Sequence, residues 1–257
     1  MNVDIKESFE KTRVAGSIAA GALDEVVKII KPGITTSKIN DLCYEFINDH
    51  HAYSAPLFYR GFPKSCCTSA NHVVCHGIPS NKILKEGDIL NVDVTVYKDG
   101  WHGDTSRMFE VGKVSVKAKK LIETTYESMM NAIKILKENV QLGDIGATIQ
   151  EHVEANGCSV VQDFCGHGIG KKFHEEPTVL HYGKKGTGEK IKAGMIFTIE
   201  PMINLGNYET KILNDGWTAV TKDKSLSAQF EHTVGITENG YEVFTKSVQG
   251  YSHPPYI

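Results

Sequence analysis

The feature that most constrains this chain is that it repeats itself. Val27-Lys-Ile-Ile-Lys-Pro-Gly-Ile34, with the residues on to Ile39, lies without gaps on Ile133-Lys-Ile-Leu-Lys-Glu-Asn-Val140 on to Ile145. Further along, Cys75-His-Gly-Ile78 matches Gly166-His-Gly-Ile169, and Gly87-Asp-Ile-Leu-Asn-Val-Asp93 matches Gly194-Met-Ile-Phe-Thr-Ile-Glu200. The pieces keep one order, the second run merely having a longer loop between its matched parts. Shared order points to two related halves, about 9–110 and 118–245, within a single domain spanning 1–257, and related halves usually face each other across a cleft.

Each half opens with a helix pair. Apolar residues at helical spacing (Val14, Ile18, Val26, Ile30) predict a helix from about Phe9 to Lys31, stopped by Pro32-Gly33. Thr35, Thr36 and Ser37 offer cap oxygens for a second helix with Ile39, Leu42, Cys43, Phe46 and Ile47 on one face. The corresponding pair is expected over Ala118–Lys137 and Asp144–Asn156, closed by Gly157.

Strands follow. In Ile89–Tyr97, alternation sends Leu90, Val92, Val94 and Val96 to one face and Asn91, Asp93, Thr95 and Tyr97 to the other. The same rule separates Glu200 from Phe197 and Ile199, and groups Ser227, Gln229, Glu231 and Thr233. Asp104 follows an Asp99-Gly100 turn, as on the return strand of a hairpin that also carries Asp93.

Four acids converging on one cleft would each raise the others' pKa unless cations lay among them, and divalent metals solve that problem. Any one of these acids alone would read as a solvated strand residue; the repeat and the shared face argue otherwise. His167 in Cys165-Gly-His-Gly-Ile-Gly170 and its half-equivalent His76 both stand beside glycines, which let backbone come close and leave the imidazole free. Gly166-x-Gly168-x-Gly170-Lys171 has neither the GxxxxGK[ST] nor the GxGxxG spacing of a phosphate loop.

Composition narrows the classes further. With 28 basic and 31 acidic residues and a formal charge of −3, the chain has no overall basic field for DNA or an anionic membrane, and no apolar run long enough to span one. Six cysteines without CxxC spacing, and a polar start MNVDIKESFE, fit a reduced, cytoplasmic protein.

Asp93, Asp104, His167, Glu200 and Glu231, set in NVDVTVYKDGWHGDTSR, CGHGIG, FTIEPM and SAQFEHT, resemble the five metal ligands of the methionine aminopeptidases, and the resemblance runs from the first helix to about Phe244. The short interval between Glu200 and Glu231, without a helical insertion, and the lack of an N-terminal zinc-binding extension resemble the short bacterial type I form. The resemblance implies an α/β pita-bread fold with pseudo-two-fold symmetry, a central antiparallel sheet covered by two helix pairs.

It also implies a metal-dependent hydrolase that removes the initiator methionine from nascent proteins, preferring a small second residue and acting as a monomer at the ribosome. Two divalent ions (Co, Mn, Fe or Zn) would be held with Asp104 and Glu231 bridging, Asp93 on one ion, and His167 with Glu200 on the other. A hydroxide activated by the two ions would attack the first peptide bond, Glu200 would move its proton, and His76 and His174 would contact the substrate. Tyr59, Phe62, Cys67, Phe173 and Trp217 are the matching walls of an apolar side-chain pocket, with departures at Pro56, where many relatives have Cys, and at Phe62, where many have Tyr. Asn71, Val73 and Ser227 match a monovalent-cation site. The remaining histidines, His50, His51, His72, His102 and His181 among them, have no motif and read as structural or solvated, and the tail Tyr251–Ile257 reads as an extended end. Three other classes compete: a proline-specific aminopeptidase, which would normally carry a further N-terminal domain; a non-catalytic binding module, which should have lost ligands; and a two-metal phosphatase or nuclease, which should have a basic surface.

Overall fold

A computed structural model describes residues 3–256 of the chain. Its four long helices are α1 (Val3–Ile29), α2 (Thr36–Asp49), α3 (Val116–Lys134) and α4 (Leu142–Ala155). Local chemistry sets their ends. Thr35 caps α2 by accepting the Lys38 N–H, Ser115 caps α3 by accepting that of Ala118, and at the start of α4 the Asp144 carboxylate accepts the Gln141 N–H. Two boundaries differ from the periodicity. Helix α1 begins well before Phe9, its first turns carrying Ile5 over Gly194, and α3 stops at Lys134 rather than Lys137 because the chain turns there to bury Leu136.

Nine strands form the central sheet, every pairing antiparallel. The path runs 53–54, 89–98, 101–110, 231–237, 196–199, 166–168, 175–179, with 67–70 added to 89–98 and 240–243 added to 231–237. The expected antiparallel sheet under two helix pairs is therefore what the chain builds. Helices α1 and α2 pack Ala15, Ala19, Leu23, Ile39, Cys43 and Ile47 against Leu90, Val92, Val94 and Val96 of the 89–98 strand. Helices α3 and α4 pack Leu121, Met129, Ile133, Ile145 and Ile149 against Phe197, Ile199, Phe230 and Val234.

The opposite face of the sheet is not open to water either. Asn91 and Thr95 are each only 2% exposed, so alternation along this strand separates an apolar core from a buried polar face. Two three-stranded sheets complete the fold, one of 227–229, 202–204 and 159–160, whose Ala228, Ile203 and Val160 join the core under α3 and α4, and the other of 210–212, 219–221 and 73–75.

One charge pair lies inside the helix layer. Arg107, on the 101–110 strand, and Asp24 of α1 are both buried, 2.5 Å apart; the guanidinium also donates to the Ala20 carbonyl, and Ser247 donates to the second Asp24 oxygen. Beyond Ser247 the tail folds back instead of trailing off. Tyr256 donates to the Met108 carbonyl and packs its ring on Phe109, while His253 lies against Tyr126 of α3. Removing one partner of a buried ion pair strands the other, so Asp24→Ala should lower stability by about 3–5 kcal/mol, read as a shift in the urea unfolding midpoint; a change within error would show that Arg107 finds other partners.

Candidate active site

The site begins at a two-residue turn. Asp99 and Gly100, both with positive φ, close the hairpin so that Lys98 pairs with Trp101, and the register then sets Asp104 opposite Thr95 and Ser106 opposite Asp93. Ser106 pairs on its other side with Glu231. Cross-strand partners point to the same face, so this register alone gathers Asp93, Asp104 and Glu231 on the polar side of the sheet. The 231–237 strand continues the set, pairing Thr233 with Thr198 and His232 with Ile199, so that Glu200 emerges beside Glu231 at the end of its strand. His167 arrives on the short 166–168 strand, where Gly168 pairs with Phe197. Its flanking glycines are required by close approach: a Cβ at Gly166 would collide with the Thr198 carbonyl, and one at Gly168 with that of Glu176.

The five residues meet. Candidate ligand atoms of Asp104, His167 and Glu231 all lie within 4.8 Å of one another. His167 Nε2 is 3.9 Å from Asp104 Oδ2 and 3.6 Å from Glu200 Oε1. The His167 Nδ1–H donates to the Gly168 carbonyl at 3.0 Å, which leaves the Nε2 lone pair for a ligand. Hydroxyls orient the acids: Thr95 donates to Asp104 Oδ1 at 2.7 Å, and Thr198 donates to Glu200 Oε1 at 2.7 Å while accepting the His167 N–H. Gln229 adds a longer bond to Glu200 Oε2, and the Glu200 N–H donates to His181 Nε2 at 3.1 Å.

Burial dominates the electrostatics. It pushes the Asp93 carboxyl up to about 7 and the Glu200 carboxyl up to about 8, and it raises Asp104 and Glu231 well above the usual carboxylate range, with repulsion from neighbouring acids adding to the shift of both. Desolvation holds His167 down at about 4, so its ring is neutral near pH 7. No lysine or arginine is paired with these four acids among the described residues, and the buried Arg107 is taken up by Asp24. Oxygen donors with one neutral imidazole and no organic counter-charge fit a divalent cation of the Mn, Fe, Co or Zn type.

Beside this cluster stands an aromatic ring of residues. His174 packs 4.2 Å from the His167 ring and 4.1 Å from Phe173, and its Nδ1 is 3.0 Å from the Tyr59 hydroxyl. Tyr59 packs on Phe173, Phe62 meets Trp217 edge-on, and Trp217 lies 6.2 Å from His76. Cys67 pairs with Asp93 in the sheet, so the pocket wall and a candidate ligand share one register. His76 is held at φ 56°, a conformation that costs a non-glycine residue energy and that functional sites tolerate. Pro56 is buried and its carbonyl accepts the Tyr59 N–H, so this departure shapes the turn that presents Tyr59.

Sequence reasoning missed several members. Phe164 packs edge-on against His76 at 5.5 Å, and Thr95, Thr198, Gln229 and His181 all touch candidate ligands. Thr95, Thr198 and Gln229 carried one signal, their period-two spacing from Asp93, Glu200 and Glu231; Phe164 and His181 carried none.

A nine-stranded antiparallel sheet backed by two helix pairs, which gathers four acids and a histidine on its polar face, defines the class. Residues 10–238 match the model of metallopeptidase family M24. Over 257 residues the chain is 54% identical to the methionine aminopeptidase of Rickettsia prowazekii, covering 100% of this chain and 99% of that one. The crystal structure of methionine aminopeptidase from Rickettsia prowazekii superposes with a TM-score of 0.92 at 56% identity, covering 93% of this chain and 97% of the other. A prolidase from Pyrococcus furiosus shares the fold, with a TM-score of 0.75 at 23% identity, but only 64% of that chain is covered. The chain is thus an M24 metallopeptidase with the pita-bread fold. Within that class it belongs to the methionine aminopeptidases.

The raised carboxyls carry a sign. Between the ordinary carboxylate range and about pH 8, the folded metal-free protein keeps protons that the unfolded chain has lost, so these groups stabilise it below that window and cease to as pH rises through it. A divalent ion replaces those protons and competes with them less at higher pH. The gain in Tm on adding saturating Mn²⁺ should therefore be larger at pH 8 than at pH 6; equal gains would mean that the ion binds elsewhere.

Proposed function

We propose that this chain removes the N-terminal methionine of newly made proteins, with Asp93, Asp104, His167, Glu200 and Glu231 holding two divalent ions at the first peptide bond. The observation that carries the reading is the convergence of four acids, Asp104 and Glu231 buried and Asp93 and Glu200 partly so, with a neutral imidazole and no paired lysine or arginine among the described residues, next to an apolar aromatic pocket. Asp104 and Glu231 would be shared by the two ions, Asp93 would hold one, and His167 with Glu200 would hold the other, in keeping with the closeness of the Asp104, His167 and Glu231 ligand atoms. Bound divalent ions, Co, Mn, Fe or Zn, supply Lewis acidity, lowering the pKa of water and polarising a carbonyl.

The protein's own groups do the rest. Glu200, its Oε1 held by Thr198 and its Oε2 near Gln229, would be ionised once a cation replaces its proton, and in that form it can take a proton from the attacking water and hand it to the leaving amine. His174 Nδ1 is 3.0 Å from the Tyr59 hydroxyl; with Tyr59 as the donor, the ring proton would lie on Nε2, available to the developing oxyanion, and burial keeps that imidazole neutral. His76, braced by Phe164 and Trp217, contacts the scissile amide. Phe62 and Cys67, nearly fully buried, with Tyr59, Phe173 and Trp217, enclose an unbranched thioether side chain. A small second residue is preferred. Ser227 Oγ is buried without a partner and the Ser227 N–H donates to the Asn71 carbonyl, which supports a monovalent cation held there with Val73.

The chain acts as one catalytic domain of two related halves, 9–110 and 118–245, on nascent chains at the ribosome, as a cytoplasmic monomer without a DNA or membrane partner. No helix among the described residues is long and apolar enough to cross a membrane. A proline-specific aminopeptidase is disfavoured by the closed aromatic wall, and a non-catalytic module by the completeness of the acid cluster.

Metal-free protein, and protein given Mn, Co or Fe, should be tested on Met-Ala-Ser and Met-Lys-Ser for released methionine. Metal-dependent release from the first peptide only is expected; no release with any metal, from folded protein, would favour the binding module. His174→Ala should lower kcat by roughly 10²–10³-fold while metal binding stays intact; an unchanged kcat would remove His174 from the chemistry.

A further inference from the structure

Asp93 and Glu200 occupy equivalent places in the repeat but are held differently. Asp93 lies mid-strand, paired on one side with Cys67 and on the other with Ser106, so the sheet fixes its backbone from both directions. Glu200 follows a strand that ends at Ile199, where pairing with His232 stops, and Pro201 comes next. Its N–H has no strand carbonyl to meet. His181, two residues past the end of the 175–179 strand, supplies the acceptor instead, its Nε2 standing 3.1 Å from the Glu200 nitrogen.

A backbone N–H can only donate, so Nε2 must present its lone pair and the ring proton must sit on Nδ1. His181 is fully buried, and its Nδ1 has no partner among the described residues. An imidazole that leaves its own donor unsatisfied is a poor choice for packing alone, since an apolar residue of similar volume would avoid that cost. Its single hydrogen bond is spent on the peptide that carries Glu200, while Thr198 holds the other end of the same residue at Oε1.

We propose that His181 is a positioning residue for Glu200, standing in for the missing strand partner so that the carboxylate is fixed at both its backbone and its oxygen. This rests on the reading of Glu200 as a metal ligand and proton carrier.

Three variants and one spectrum test it. His181→Phe keeps the ring and removes the acceptor, His181→Gln restores an acceptor, and Glu200→Ala reports the ligand itself. Calorimetric titration of metal-free protein with Mn²⁺ should show the second ion bound about 10–100-fold more weakly by His181→Phe, with kcat on Met-Ala-Ser falling and KM little changed. His181→Gln should recover most of both. Wild-type affinity and kcat in His181→Phe, or equal damage in His181→Gln, would overturn the proposal. Should His181→Phe not fold, imidazole ¹⁵N shifts of the wild-type protein decide: the Nδ1–H tautomer with a hydrogen-bonded Nε2 is expected, and the Nε2–H tautomer would overturn it. If Glu200→Ala binds both ions as the wild type does, the ligand reading on which the proposal rests fails, whatever the His181 variants show.

Discussion

Burial of four carboxyl groups side by side is the constraint around which this molecule is organised. Without a cation, burial drives Asp93, Asp104, Glu200 and Glu231 toward their protonated forms, and no lysine or arginine among the described residues is paired with them. A fold can hold such a cluster only if its position is imposed from outside, by elements stable enough to bear the cost. Here these are the long hairpin of 89–98 and 101–110 and the two helix layers packed behind the sheet. Divalent ions held there, as proposed above, would turn an unfavourable cluster into the means of catalysis.

The same division of labour recurs around each ligand. Backbone pairing sets Asp93, Asp104 and Glu231 on one face, and the hydroxyls of Thr95 and Thr198 each hold one oxygen of Asp104 and of Glu200. Where the ladder runs out, at Glu200, a side chain from just past the 175–179 strand takes over. Outer groups of this kind tune a site as strongly as the ligands they touch. The aromatic wall is tied to the cluster through the Cys67–Asp93 pairing and the His174 ring against His167, so the proposed pocket and the acids share one frame.

Much of this was legible in the chain. The repeat, the four helices, the hairpin turn at Asp99-Gly100 and the facing of Asp93, Glu200 and Glu231 follow from local rules, because helical and strand periodicities are properties of neighbouring residues. The ends of α1 and α3 departed from that reading, since Ile5 and Leu136 are placed by distant partners rather than by period. The tail departed too. Its Pro-Pro suggested an extended end, but Tyr256 and His253 find surfaces on Phe109 and Tyr126 that no local pattern announces.

By itself, then, the sequence determined which faces are apolar, where chemistry-bearing residues stand on them, and to which family the pattern belongs. Only the tertiary structure decided that the polar face of the sheet is buried rather than solvated, that His181, without any motif, holds the peptide of Glu200, and that Phe164 braces His76. The reason is physical. Periodicity reports the direction of a side chain relative to its own backbone, whereas burial, desolvation and hydrogen bonding depend on which remote segment arrives on the other side.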